Sequence, residues 1–319
     1  MENLPLWANV LVILASATLL ALGAKVVVDS AVVIAQRLGM SELVLGLTVV
    51  AFGTSAPEFA VTLLAAFEGR DDISVGNIVG SNIFNLGLIL GGAALIRAIP
   101  TTKELVWRDA SVLVGSSLLL LILVGFDLSL DHWDGWIFFT LFVAYLWMVW
   151  LQRRSGTPPP PGWRARRRVP LRESVRLVLG LGSIGMASHL LVVSSSGLAR
   201  AFGMTEWVIA VTIVAAGTSL PELATTVAGV IRGHATVGIG NVIGSDIFNL
   251  LGVLGVAGII ETMELQATAT GSLMALSAMT VLTMVLMRSG WRLSRWEGAL
   301  LISVGVFRWG LDLFSPGVG

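Results

Sequence analysis

Gly53-Thr54-Ser55-Ala56-Pro57-Glu58 recurs as Gly217-Thr218-Ser219-Leu220-Pro221-Glu222, and this doubling decides how the chain is read. A second block repeats at the same offset: Gly76-Asn77-Ile78-Val79-Gly80-Ser81 matches Gly240-Asn241-Val242-Ile243-Gly244-Ser245. A third follows, Ile83-Phe84-Asn85-Leu86 with Ile247-Phe248-Asn249-Leu250. Residues 38–91 align with 202–255 without a gap, and 25 of the 54 positions are identical. The clustered identities are polar and helix-breaking residues, whereas a duplication serving shape alone needs only hydrophobic similarity.

Around these motifs the chain is apolar. Of 319 residues, 55% are hydrophobic and 13% charged, about half the charged share of a soluble domain. Such a surface does not suit a water-soluble enzyme, and a formal net charge of zero does not suit a nucleic-acid binder. The absence of cysteine removes disulfides, thiolate metal sites and cysteine nucleophiles. A hydrocarbon core of about 30 Å needs about 20 apolar residues per helix. Ten segments qualify: 7–35, 43–66, 75–96, 110–126, 134–151, 173–200, 207–231, 236–260, 268–287 and 296–314. None alternates with period two, which speaks against a β-barrel. The start lacks the basic flank of a signal peptide, so the first segment is read as a retained helix. The expected fold is an all-α polytopic membrane protein, with five helices in 1–151 and five in 173–319. Four consecutive prolines and seven arginines make 152–172 a linker. It serves as a topology determinant with a stiff spacer, or as a binder of anionic lipid.

With both termini outside, 16 of the 20 Lys and Arg fall in cytoplasmic loops or helix ends, which is the positive-inside pattern. The expected location is therefore the plasma membrane, with 152–172 in the cytoplasm. An odd number of helices per repeat makes the second copy enter from the opposite side. Secondary transporters use such inverted repeats to bring two half-sites together at mid-membrane.

Glu58 lies ten residues before Glu68 at the outer end of its helix, about 15 Å and half the hydrocarbon thickness. Glu222 stands equally far from Arg232. An ionised acid there costs roughly 2.5–3.5 kcal/mol, and no Lys or Arg repeats alongside. A bound cation is the simplest neutraliser. Thr54, Ser55 and Glu58 share a helix face, as do Thr218, Ser219 and Glu222. Pro57 and Pro221 free a turn, so that carbonyls near Ala51 and Ala215 can face an ion. Ser81 and Asn85 are i,i+4 on the next helix, as are Ser245 and Asn249; the two amides either ligate or bond the opposite helix. All these ligands are oxygens, the set preferred by Ca²⁺ and Na⁺. Gly76, Gly80, Gly240 and Gly244 form small-residue faces for close packing. Lys25 and Asp29 are expected to pair within the first helix, and His189 to pack as a neutral ring.

The doubled motifs resemble those of the cation/calcium antiporter superfamily, above all its sodium/calcium exchanger branch. The resemblance implies that Glu58 and Glu222 are central Ca²⁺ ligands beside the Thr54 and Thr218 carbonyls. Ser55, Ser219, Ser81, Ser245 and the Ala51 and Ala215 carbonyls would complete flanking Na⁺ sites. It also implies that the first and sixth helices slide across a static core. Asn249 stands where potassium-dependent relatives carry Asp, which argues against K⁺ co-transport. Asp246 replaces the Asn expected from Asn82, and about 100° of helix rotation from Ser245 should turn it away from the site. The proton-coupled branch typically has Gly-Asn-x-x-Glu, absent here. The expected function is Ca²⁺/Na⁺ antiport by alternating access, not enzymatic; the rivals are a Ca²⁺/H⁺ antiporter, a passive cation channel and, more remotely, an intramembrane protease. No cofactor and no nucleic acid are expected: Ca²⁺ and Na⁺ are cargo, membrane lipid is the surrounding partner, and a monomer suffices.

Overall fold

A computed structural model describes residues 5–152, 170–201, 215–265 and 269–314. Helix α1, Leu6–Leu38, ends where Gly39 takes φ 66° and its N–H donates to Ala35 O, a left-handed cap that glycine adopts without strain. Helix α2, Glu42–Thr54, contains a π-helical turn at Gly46–Val50 and meets α3, Ala56–Phe67, at a 49° bend. Helix α4 (71–96) carries a π turn at Asn85–Leu90. Strand β1 (Ile99–Pro100), helix α5 (105–127), strand β2 (Ser129–Leu130) and helix α6 (His132–Gln152) follow. Past the linker come α7 (Leu171–Ala201), α8 (Ala215–Thr218), α9 (Leu220–Ile231) and α10 (Ala235–Ile260), the last with a π turn at Phe248–Val253. Strand β3 (Met263–Glu264), α11 (Ala269–Arg288), β4 (Arg292–Leu293) and α12 (Arg295–Phe314) close the chain.

The duplication is visible in these bounds. Helices α3 and α9 begin and end at the same offset as the sequence repeat, and so do β1 and β3. The two short sheets each join one repeat to the other: β1 pairs with β4 and β2 with β3, both antiparallel. Because β1 and β2 flank α5, the two sheets sit at its opposite ends.

Lipid offers no hydrophobic incentive for helices to associate, so close backbone approach must hold them. Glycines provide it in reciprocal fashion. A Cβ on Gly91 of α4 would lie 2.8 Å from Gly298 O of α12, and one on Gly255 of α10 would lie 2.8 Å from Phe139 N of α6. Helix α2 crosses α10 as tightly, where a Cβ on Gly244 would meet Leu47 O at 2.6 Å. Gly240 packs on the same helix, whereas Gly76 and Gly80 meet no described atom within 4 Å. The buried apolar side chains fall into two clusters. A large one runs through α4, α5, α6, α10 and α11, and a smaller one joins α1 and α7, around Val27, Ala31 and Ile184, to Leu45 and Val50 of α2 and Val237 of α10.

Among the described residues, seven helices are long and apolar enough to span a bilayer, or eight if the bent α2–α3 pair is one span. The sequence reading expects ten. The first part of its seventh segment, through residue 214, lies outside the described residues, which leaves the short Leu220–Ile231. Helix α12 is formed but carries Arg295, Glu297, Arg308 and Asp312. Linker residues 153–169 are likewise outside the described set.

Two expectations about single residues fail. Asp29 bonds Arg232 Nε at 2.8 Å instead of pairing with Lys25, because the end of α9 reaches across to α1 and presents a partner that helical spacing cannot reveal. His189 is exposed rather than packed, since it lies on the outer face of α7, opposite the α1 contact.

Candidate ion-binding site

The site grows from two matching helix breaks. Ser55 sits at φ −83°, ψ 10° and Ser219 at φ −86°, ψ 7°, outside the helical well. Pro57 and Pro221 occupy the second positions of α3 and α9, where a missing N–H does no harm. Glu58 and Glu222 therefore stand in the first turns of these helices, where the dipole favours negative charge. The sequence reading keeps Thr54, Ser55 and Glu58 on one helix face; the break instead sends Ser55 across to the other repeat. Ser55 Oγ donates to Glu222 Oε1 at 2.7 Å, and Ser219 Oγ donates to Glu58 Oε1 at 3.1 Å. Each carboxylate is thus held by the serine of the opposite motif, and both acids are fully buried.

The flanking helices contribute unequally. Ser245 Oγ donates to Glu222 Oε1 at 3.3 Å, whereas Ser81 Oγ bonds back to Ile78 O at 3.1 Å. Ala51 O is occupied by the Ser55 N–H at 3.0 Å and the Thr54 hydroxyl at 3.2 Å, so Pro57 does not free this carbonyl in the present conformation. Ala215 opens α8, and the residues before it are outside the described set. Asn85 Nδ2 donates to Asp246 Oδ1 at 2.8 Å, and Asn249 Nδ2 to Asn82 Oδ1 at 3.1 Å. Both amides therefore bond across the repeats through nitrogen and keep their oxygens free. Asp246 does not turn away: it is fully buried and bonded to a candidate site residue. Rotation about α10 moves it off the Glu222 face, but that other face abuts α4.

Two residues given no role in the sequence reading brace the site. Asn241 accepts from Thr54 Oγ1 at 3.0 Å and donates to Thr225 Oγ1 at 2.8 Å. Its counterpart Asn77 donates to Thr62 Oγ1 at 3.0 Å. Their identity across the repeat was the available signal.

Buried polar atoms nearly always have partners. Here five buried oxygens have none among the described residues: Glu58 Oε2, Glu222 Oε2, Asn85 Oδ1, Asn249 Oδ1 and Asp246 Oδ2. None of the three acids forms a salt bridge there. An excess of acceptors with no positive partner suits a cation. No group of three or more His, Cys, Asp and Glu apt for a metal occurs among the described residues, so the remaining ligands would be hydroxyls and amides, as hard cations prefer.

Residues 8–151 and 174–307 match the family model of the sodium/calcium exchanger protein. The chain is 31% identical to the sodium/calcium exchanger MaX1 of Methanosarcina acetivorans, across 92% of this chain and 95% of that one. It is 36% identical to the inner membrane protein YrbG of Escherichia coli, across 70% and 71%. The sodium-calcium exchanger NCX_Mj, solved from crystals soaked with Na⁺ and Sr²⁺, superposes with a TM-score of 0.83 at 28% identity, covering 95% of this chain and 98% of that one. A family match on both sides of the linker, in a multi-pass helical protein of this fold, identifies a transporter: the chain belongs to the sodium/calcium exchanger family.

Proposed function

We propose that this protein is a secondary antiporter that exchanges Ca²⁺ for Na⁺ across the plasma membrane by alternating access. The observation that carries this reading is the pair of buried carboxylates, each gripped at one oxygen by the opposite repeat and left open at the other. One divalent ion or several sodium ions satisfy the open oxygens, and the two kinds of cargo exclude each other. The unloaded site keeps its charges bare in a low-dielectric interior and crosses slowly, which makes the cycle an exchange rather than a leak.

Glu58 and Glu222 would be the central Ca²⁺ ligands, with Thr54 and Thr218 beside them. Ser55, Ser219, Ser81, Ser245, Asn85 and Asn249, with the Ala51 and Ala215 carbonyls, would serve the flanking positions. Ser81 and the Ala51 carbonyl would turn from their present bonds in another state of the cycle. The ten-helix inverted plan belongs to this reading, with both termini outside and the linker in the cytoplasm. The crossed pairing of the four strands, one sheet at each end of α5, supports it.

The deciding experiment is ⁴⁵Ca²⁺ uptake into proteoliposomes, with Na⁺, K⁺ and H⁺ gradients imposed one at a time. Outward sodium should drive uptake. Uptake driven by a pH gradient without sodium would replace sodium by protons, and flux without any counter-ion would make the protein a channel.

A further inference from the structure

The repeat breaks at a buried hydroxyl. Thr225 stands about one turn past Glu222 in α9, and its counterpart in α3 is Val61. A polar group is costly to bury without a partner, and Thr225 is only 1% exposed. Its hydroxyl has a single hydrogen, which goes to backbone carbonyls: Pro221 O lies at 2.8 Å and Glu222 O at 3.1 Å. Toward Asn241 Nδ2, at 2.8 Å, Thr225 therefore only accepts. Thr226 spends its hydrogen on Gly238 O at 3.4 Å and accepts from the same nitrogen at 3.3 Å. These two acceptors decide which way the Asn241 amide faces, nitrogen toward α9 and oxygen toward α2.

Asn241 Oδ1 thereby meets the Thr54 hydroxyl at 3.0 Å. Thr54 also has one hydrogen, and Ala51 O competes for it at 3.2 Å. Ala51 O already receives the Ser55 N–H at 3.0 Å. With the Thr54 hydrogen on Asn241, the Ala51 carbonyl keeps one lone pair open. A reversed Asn241 would aim its NH₂ at Thr54, and the Thr54 hydrogen would then close Ala51. The first repeat has no such anchor: Asn77 Nδ2 donates to Thr62 Oγ1 at 3.0 Å and to the Glu58 carbonyl at 3.4 Å, and Val61 offers no hydroxyl.

We propose that Thr225 is a positioning residue for sodium at the flanking position of Ala51, Ser55 and Ser245. Acting through Asn241, it turns the Thr54 hydrogen away from the Ala51 carbonyl and keeps that oxygen for the ion. Calcium between Glu58 and Glu222 does not use this carbonyl, so Thr225 sets sodium affinity relative to calcium. This deepens the exchanger reading and rests on it.

The test titrates the purified protein with Na⁺ in chelator and, separately, with Ca²⁺ in choline, and reads the ion-dependent rise in melting temperature. Thr225→Val gives the second repeat the residue of the first. It should raise half-saturating sodium about two- to tenfold, the worth of one hydrogen bond, and leave half-saturating calcium in place. Thr225→Ser should restore the wild-type sodium affinity. Asn241→Ala should show the same sodium loss, and adding Thr225→Val should deepen it no further, because one residue acts through the other. Thr225 also bonds the Glu222 backbone, so a merely structural role would displace that carboxylate and weaken both ions alike. Equal losses for the two ions, unchanged sodium affinity, a loss that serine does not repair, or additive losses in the double variant each overturn the proposal. Should Thr225→Val fail to fold, Thr225→Ala removes the same hydroxyl and is read in the same way. Wild-type ⁴⁵Ca²⁺ uptake that no sodium gradient drives would instead sink the exchanger reading, whereas intact driven uptake with unchanged sodium affinity in Thr225→Val sinks only the relay.

Discussion

Glu222→Gln exchanges one carboxylate oxygen for an amide nitrogen and leaves the side chain's shape almost unchanged. The structure dictates which way the amide turns. Ser55 and Ser245 both donate to Oε1, at 2.7 and 3.3 Å, so the glutamine oxygen takes that place. The NH₂ then occupies the position of Oε2, the oxygen with no donor, and points two hydrogens at the cargo. Breaking one side of a buried charge pair costs about 3–5 kcal/mol, or roughly 150- to 5,000-fold in affinity. Calcium titration of the purified protein should show a loss of that order, and sodium-driven ⁴⁵Ca²⁺ uptake should vanish. Ion-free stability should move the other way, because the substitution removes an uncompensated buried charge, and the variant should melt higher than the wild type in chelator. Unchanged calcium affinity with near-normal flux would refute the assignment of Glu222. A lower melting point without ion would refute the claim that its charge is unbalanced.

Ser55→Ala and Ser219→Ala each delete one crossed hydroxyl, a charge-assisted bond worth about 1.5–3 kcal/mol; apparent calcium affinity should fall in both, and further in Ser55→Ala, whose bond is the shorter. Gly91→Ala should lower the melting temperature by the equivalent of about 1–3 kcal/mol, because its Cβ would meet Gly298 O at 2.8 Å, while Gly92→Ala, which meets nothing within 4 Å, should be neutral. Arg232→Gln breaks a half-exposed pair with Asp29 that ties α9 to α1; stability should change by less than about 1 kcal/mol, and exchange should quicken. The chain has no cysteine, so Gly156→Cys supplies a unique thiol; an impermeant maleimide should reach it only after the membrane is opened if the linker is cytoplasmic.

The repeat, the two acids and their oxygen-rich surroundings were legible because identity at a fixed offset is a property of sequence. The break at Ser55 was not, since proline alone does not say which residue leaves the helical well, and the crossed serine bonds follow from that break. Asp246 was misjudged for a related reason. A helical wheel ranks residues by rotation about one axis, but α10 has a second buried face, against α4, that only tertiary packing supplies. Asp29 likewise found its partner across space rather than four residues away. The two spans that remain of the ten are the seventh segment, whose residues 207–214 lie outside the described set, and the charged last helix, where composition and length give conflicting signals.

The crossed grip of serine on glutamate carries a consequence for direction. Interchanging the two Thr-Ser-x-Pro-Glu motifs returns the same crossed pair, so this part of the site has no inherent front or back, although Ser245 and Asp246 are not matched by Ser81 and Asn82. Nothing in its chemistry rectifies flow; only the prevailing ion concentrations set the sign. On the sodium-coupled reading proposed above, a cell whose sodium gradient collapses would find the same protein running in reverse.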